Sequence, residues 1–88
     1  MTCEILWTPT ATEHLEYWRK ADQKKILKIK SLCQSIAISP ENGEGKPERL
    51  KFQEGRNIWS RRIDQEHRLV YEIKNDKTIF ILQCRYHY

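Results

Sequence analysis

The sequence predicts an α+β fold: two N-terminal helices packed on one face of a small antiparallel sheet. Three observations carry this reading. Apolar residues recur at helical spacing through the first half of the chain. The second half breaks into short strand-like runs. The turns between those runs are short, which implies antiparallel hairpins. A helical hairpin over such a sheet is the simplest way to bury one face of each.

The elements follow in order. Cys3-Glu4-Ile5-Leu6-Trp7 alternates, with Ile5 and Trp7 on one face, and reads as a first strand. Thr8-Pro9 is an N-cap followed by proline at the first helical position. Ala11, Leu15 and Trp18 then define a helix to about Lys20. Asp22 can cap a second helix, with Ile26, Ile29, Cys33 and Ile36 on its apolar stripe and Lys24, Lys25 and Lys28 on a solvated face. Ser39-Pro40 ends it, and a polar loop runs to Glu48. Strands are expected at Arg49–Phe52, Ile58–Ile63, Arg68–Ile73 and from Thr78 into Arg85. Period two puts Leu69, Tyr71 and Ile73 on one face and Arg68, Val70 and Glu72 on the other. In the last strand it groups Phe80, Leu82 and Cys84 as an apolar set, and Gln83, Arg85 and His87 as a polar one. The face turned away from the helices is therefore polar or holds a site.

The chain's 88 residues suit a single domain, 1–88, with one modest core. The apolar runs are too short for a membrane-spanning helix, and the first residues lack a secretion signal. The expectation is a cytoplasmic protein. Sixteen Lys and Arg against 12 Asp and Glu give a net charge of +4, which attracts polyanions such as RNA. The three cysteines, Cys3, Cys33 and Cys84, include no C-x-x-C pair and read as buried, reduced thiols. Cys84 and His87 alone do not make a metal site.

The sequence lacks a P-loop, a dinucleotide glycine pattern and an H-E-x-x-H helix. Gly43-Glu44-Gly45-Lys46 does not run from a strand into a helix and reads as a flexible turn. The acid–base types are Glu48, His67 and His87, amid several arginines and tyrosines. His14, inside the first helix, reads as structural or exposed. These types suffice for metal-free RNA cleavage: a base for the ribose 2′-hydroxyl, a cation for the phosphate and an acid for the leaving oxygen. Residue types alone leave other readings open. Glu48 suits a solvated carboxylate, and Arg68 a surface partner of Glu66 or Glu72. His67 suits a turn or packing role, Trp59 and Tyr71 the core, and the terminal His-Tyr a frayed end.

Four ordered segments narrow the choice: Gly45-Lys46-Pro47-Glu48-x-Leu50-Lys51, Trp59-Ser60-Arg61-Arg62-Ile63, Glu66-His67-Arg68-Leu69-Val70-Tyr71 and Cys84-Arg85-Tyr86-His87-Tyr88. Together they resemble the YoeB/Txe family of bacterial toxins within the RelE-like superfamily. The resemblance spans nearly the whole chain and implies a RelE/YoeB-like fold. It also implies an endoribonuclease that enters the ribosomal A site and cuts translated mRNA without a cofactor. Glu48 matches the general base, His87 the general acid, Arg68 the phosphate-stabilising arginine, and Tyr88 a tyrosine that orients nucleotide and acid. Lys51, Arg61, Arg62 and Arg85 match basic positions that contact RNA or ribosome. The resemblance further implies a cognate antitoxin of YefM/Axe-like type with an acidic or disordered segment, and related toxins suggest a homodimer. The alternative on the same scaffold is a non-catalytic, ParE-like inhibitor of DNA gyrase; such proteins lack the acid–base set.

Overall fold

The computed structural model describes residues 2–51 and 55–86. Strand β1 (Glu4–Trp7) leads into helices α1 (Pro9–Ala21) and α2 (Gln23–Ile38). Strands β2 (Glu48–Arg49), β3 (Ile58–Arg62), β4 (Arg68–Ile73) and β5 (Thr78–Gln83) follow. They form one sheet in the order β1-β5-β4-β3-β2. The pairs β2–β3, β3–β4 and β4–β5 are antiparallel, as their short turns require. The β1–β5 pair is parallel, which the antiparallel expectation did not include. A parallel neighbour needs a long connection, and both helices and three strands lie between these two.

Local chemistry sets the helix ends. The Thr8 side chain accepts the Ala11 amide and its hydroxyl donates to the Ile81 carbonyl, so the N-cap also ties α1 to β5. Pro9 sits where its missing N–H costs nothing. Asp22 ends α1 and caps α2 by accepting the Lys24 amide. The Ser39 amide closes α2 on the Ser35 carbonyl, just before Pro40.

Both helices bury their apolar stripes on one sheet face. The core joins Ala11 and Trp18 of α1 and Ile29, Leu32 and Ile36 of α2 to Leu69, Tyr71, Ile79 and Ile81. On α2 the stripe centres on Leu32, with Ile26 and Cys33 at its margin. Burial pushes the Cys33 thiol up to about 11 and the Cys84 thiol up to about 12, so both remain protonated near neutrality.

Several strand boundaries differ from the sequence reading: β1 starts at Glu4 rather than Cys3, β3 ends at Arg62 rather than Ile63, and β2 and β5 differ more. β2 starts at Glu48 and ends at Arg49, although the Leu50 amide still reaches the Ile58 carbonyl. Phe52, the expected end of that strand, lies outside the described residues. β5 ends at Gln83 rather than Arg85, and the β4–β5 register shifts between Val70 and Tyr71. Val70 faces Gln83, whereas Tyr71 faces Ile81, which leaves one extra residue on β5. The extra residue breaks the period of two. Cys84 therefore joins Ile79 and Ile81 in the core instead of siding with Phe80 and Leu82.

Candidate active site on the open sheet face

Cross-strand partners share a face, so register identifies what lies opposite the helices. Glu48 pairs with Ser60, Ser60 with Val70, and Val70 with Gln83. Arg68 lies two residues from Val70 on that face and pairs with Arg62. Two ladder spacings and two strand rises put the Glu48 and Arg68 backbones about 12 Å apart. Glu48 and Arg62 are exposed, and Arg68 is half-buried. Lys51 is exposed at the loop end of the same edge.

Glu48 is delivered by a loop that is far from flexible. The Glu44 carboxylate takes hydrogen bonds from Lys28 and Ser31 of α2, which hold it below the usual carboxylate range. Gly45 has φ 84, and a Cβ there would come within 2.7 Å of Leu32 and 3.2 Å of Arg61. The Gly45 carbonyl accepts the Arg62 amide. Gly43-Glu44-Gly45-Lys46 is thus a packed turn.

Arg61 organises this loop from beneath it and presents no exposed surface. Its exposure is 0%, against the expectation that it joins Arg62 as an RNA- or ribosome-contacting residue. Alternation explains the correction: Arg62 faces outward, so Arg61 points under the loop. All five of its N–H donors are used. Nε donates to the Tyr71 hydroxyl, Nη1 to Ser35 Oγ and the Glu44 carbonyl, and Nη2 to the Ser39 and Asn42 carbonyls. The Tyr71 hydroxyl in turn donates to the Pro40 carbonyl.

Arg68 is positioned by the β3–β4 turn. Its Nη1 donates to the Asp64 and His67 carbonyls, at 3.0 and 3.3 Å. Glu72, a partner the sequence allowed for Arg68, is instead bound by Arg56 and Lys74; hydrogen bonds from Arg56 keep its buried carboxyl low. Asp64 shapes the turn by accepting the Glu66 and His67 amides while pairing with Lys25 of α2 at 2.8 Å. Partial burial pushes the Asp64 carboxyl up, but the Lys25 and amide bonds outweigh it and bring it to about 2. A depressed carboxylate stabilises the fold above its unfolded value, about 4. That stability is lost as pH falls through the folded value. Urea titrations should therefore show wild-type stability falling between about pH 4 and 2, and a shallower fall in Asp64→Asn. Equal slopes would remove Asp64 from the turn's energetics.

The C-terminal segment runs back beside β4. The Tyr86 carbonyl, bonded directly to the His87 nitrogen, accepts the Arg68 amide at 3.0 Å. His87 and Tyr88 themselves lie outside the described residues. Before them the chain is gripped by side chains from distant elements. The Cys84 amide donates to His14 Nδ1 at 3.2 Å, and Trp18 Nε1 donates to the Cys84 carbonyl at 2.8 Å. The Tyr86 amide donates to His67 Nδ1 at 2.8 Å. Tyr86 has φ 70, a left-handed conformation that costs a non-glycine residue roughly 1–2 kcal/mol. The two hydrogen bonds of its backbone offset that cost, as does an edge contact of its ring with His14, 5.7 Å between centroids. Arg85 spends its guanidinium on aromatic faces, 3.4 Å from the Tyr17 centroid and 4.5 Å from that of Tyr86.

Of the residues expected to act, the structure places Glu48, Arg62 and Arg68 on one face and the lead-in to His87 beside Arg68. The grip by His14, Trp18 and His67 was not legible in sequence. Each partner lies at least 19 residues away from its target, and no local spacing links them.

The class is thus a small α+β protein whose sheet carries a carboxylate and arginines on the face away from the helices, with its C-terminal segment tied to both β4 and α1. Residues 7–88 match the YoeB-like toxins of bacterial type II toxin-antitoxin systems, and the chain belongs to that family. It is 39% identical over 85 residues to toxin YoeB of Escherichia coli, covering 97% of this chain and 99% of that one. The structure of the YoeB dimer from Staphylococcus aureus superposes with a TM-score of 0.88 at 40% identity, covering 100% of both chains. YoeB in the heterotetrameric YoeB-YefM complex from the same organism superposes with a TM-score of 0.82 at 41% identity, again over 100% of both. Among the described residues, no helix is long and apolar enough to cross a membrane.

Proposed function

We propose that this toxin, acting as one domain over residues 1–88, is a ribosome-dependent endoribonuclease that cuts translated mRNA in the A site of cytoplasmic ribosomes. Glu48 removes the proton from a ribose 2′-hydroxyl, and the resulting oxygen attacks the adjacent phosphorus. Arg68 stabilises the added negative charge. The bond to the 5′-oxygen breaks, leaving a 2′,3′-cyclic phosphate, and His87 protonates the departing oxygen. Tyr88 orients nucleotide and acid. The atoms and protons balance without a metal or cofactor. The observation that carries the reading is the hydrogen bond from the Arg68 amide to the Tyr86 carbonyl. It ties the chain entering His87 to the arginine that shares a face with Glu48.

Lys51 and Arg62 contact RNA or ribosome on this reading, by neutralising phosphates. Arg85 contributes through its stacked guanidinium. A YefM/Axe-like antitoxin is the proposed partner, its acidic or disordered segment folding over the basic face; YoeB of S. aureus forms a heterotetrameric complex with YefM. A homodimer is proposed on the same footing.

The test is a cell-free translation system with defined mRNA. Purified protein should stop translation and leave cut message, and His87→Ala should do neither. Intact mRNA alongside inhibited gyrase supercoiling would overturn the proposal in favour of a gyrase inhibitor.

A further inference from the structure

The two histidines that the catalytic scheme leaves unused both accept main-chain N–H groups from the last described residues, Cys84 and Tyr86. A backbone amide can only donate, so each Nδ1 must be unprotonated and each ring neutral for the contact to exist. Trp18 completes the hold from below: it donates to the Cys84 carbonyl and its ring meets that of His67 edge-on at 4.9 Å.

We propose that His14 and His67 are positioning residues for the catalytic C-terminus, a clasp of neutral imidazoles that sets where the chain enters His87 and Tyr88. The proposal rests on the reading that His87 acts on the mRNA. Protonating either ring turns its acceptor into a donor facing a donor, and the clasp opens. Toxin activity then falls in acid for a reason separate from the chemistry itself.

The surroundings fit this role. Arg85, on the segment being held, faces His14; Glu13 opposes it from α1. Burial first, then Arg85, keeps the His14 ring below its usual range and so favours its neutral form, although Glu13 pulls the other way. This hold is complete above about pH 6.5 and weakens as pH falls below it. Around His67 stand Glu66, whose carboxylate is 3.7 Å from Nε2, Asp64, which accepts the His67 amide, and Arg68, which donates to its carbonyl. Lys25 reaches the same corner through Asp64. His67 therefore joins Arg68 and the tail in one bonded unit: the same residue holds Tyr86 by its ring and Arg68 by its carbonyl.

The test uses His67→Ala and His67→Asn, read in two ways. Asparagine keeps an acceptor near the position of Nδ1. By amide hydrogen exchange at pH 7.5, relative to core amides such as Tyr71, Tyr86 should be protected in wild type and His67→Asn and about 10-fold or more less protected in His67→Ala. The Cys84 amide, held by His14, should lose protection in wild type as pH falls below about 6.5. Single-turnover cleavage on programmed ribosomes should fall about 100-fold in His67→Ala, the effect of misplacing a reacting group by about 1 Å. The asparagine variant should recover most of this with unaltered ribosome affinity. A Tyr86 amide as protected in His67→Ala as in wild type, a Cys84 amide indifferent to pH, or His67→Ala cleaving at the wild-type rate would overturn the proposal. If both amides respond as expected but the wild type cuts no mRNA, the clasp stands and the nuclease reading falls.

Discussion

Arg61→Met is expected to destabilise the fold by about 3–5 kcal/mol, the range for removing one side of a buried charged network. The side chain has no exposed surface, and its five donors satisfy three carbonyls of residues 39–44 and two hydroxyls. Methionine fills much of the volume but bonds none of them, and each buried acceptor left unmet costs about 1–3 kcal/mol before the loop relaxes or admits water. A chain of this size holds about 5–10 kcal/mol in total. The melting temperature should fall by about 15–30 °C, as read by thermal unfolding. Arg61→Lys should fall between the two, because it keeps the charge but offers three donors without the planar fork. A melting temperature within a few degrees of wild type in Arg61→Met would show that the loop stands without its clamp.

Much of the fold was legible because the determining signals are local. Thr8-Pro9 and Asp22 announce the helix starts through bonds spanning two or three residues. Leu69, Tyr71 and Ile73 alternate with Arg68, Val70 and Glu72 as a strand must. Where local rules failed, a non-local bond decided. Arg61 and Arg62 are indistinguishable as residue types, yet one is sealed under the loop and the other is exposed. Only the placement of residues 39–44 over β3 separates them. The β4–β5 register shift has no residue signature, and it moves Cys84 into the core. The parallel placement of β1 is likewise set by the ends of the chain meeting in space.

The site divides the same way. Glu48 and Arg68 were picked out by their motifs, and register alone then puts them on a common face. The devices that hold them, Arg61 under the Glu48 loop and the histidines on the tail, read as an RNA contact and as structural residues in sequence. They sit on other elements and act through main-chain groups, which carry no side-chain identity for a motif to record.

Glu48→Gln is expected to lower single-turnover cleavage by about 100- to 10,000-fold, the span of a lost general base. Stability should stay within about 0.5 kcal/mol, since the side chain is exposed on a two-residue strand and the substitution preserves its shape. Removing a negative charge from the face that carries Arg62 and Arg68 also favours the phosphate backbone, so affinity for programmed ribosomes should hold or rise. Loss of rate with retained binding separates a base from an RNA contact: a contact residue would raise KM first. A second comparison bears on whether Glu48 and His87 act as a pair. Groups that serve one transition state are not additive, so Glu48→Gln with His87→Ala should cost little more than the worse single change. Multiplying losses would mean that the two residues act in separate steps. Wild-type cleavage by Glu48→Gln would mean that the 2′-hydroxyl proton leaves by another route, and the base would then have to be sought elsewhere on the open face.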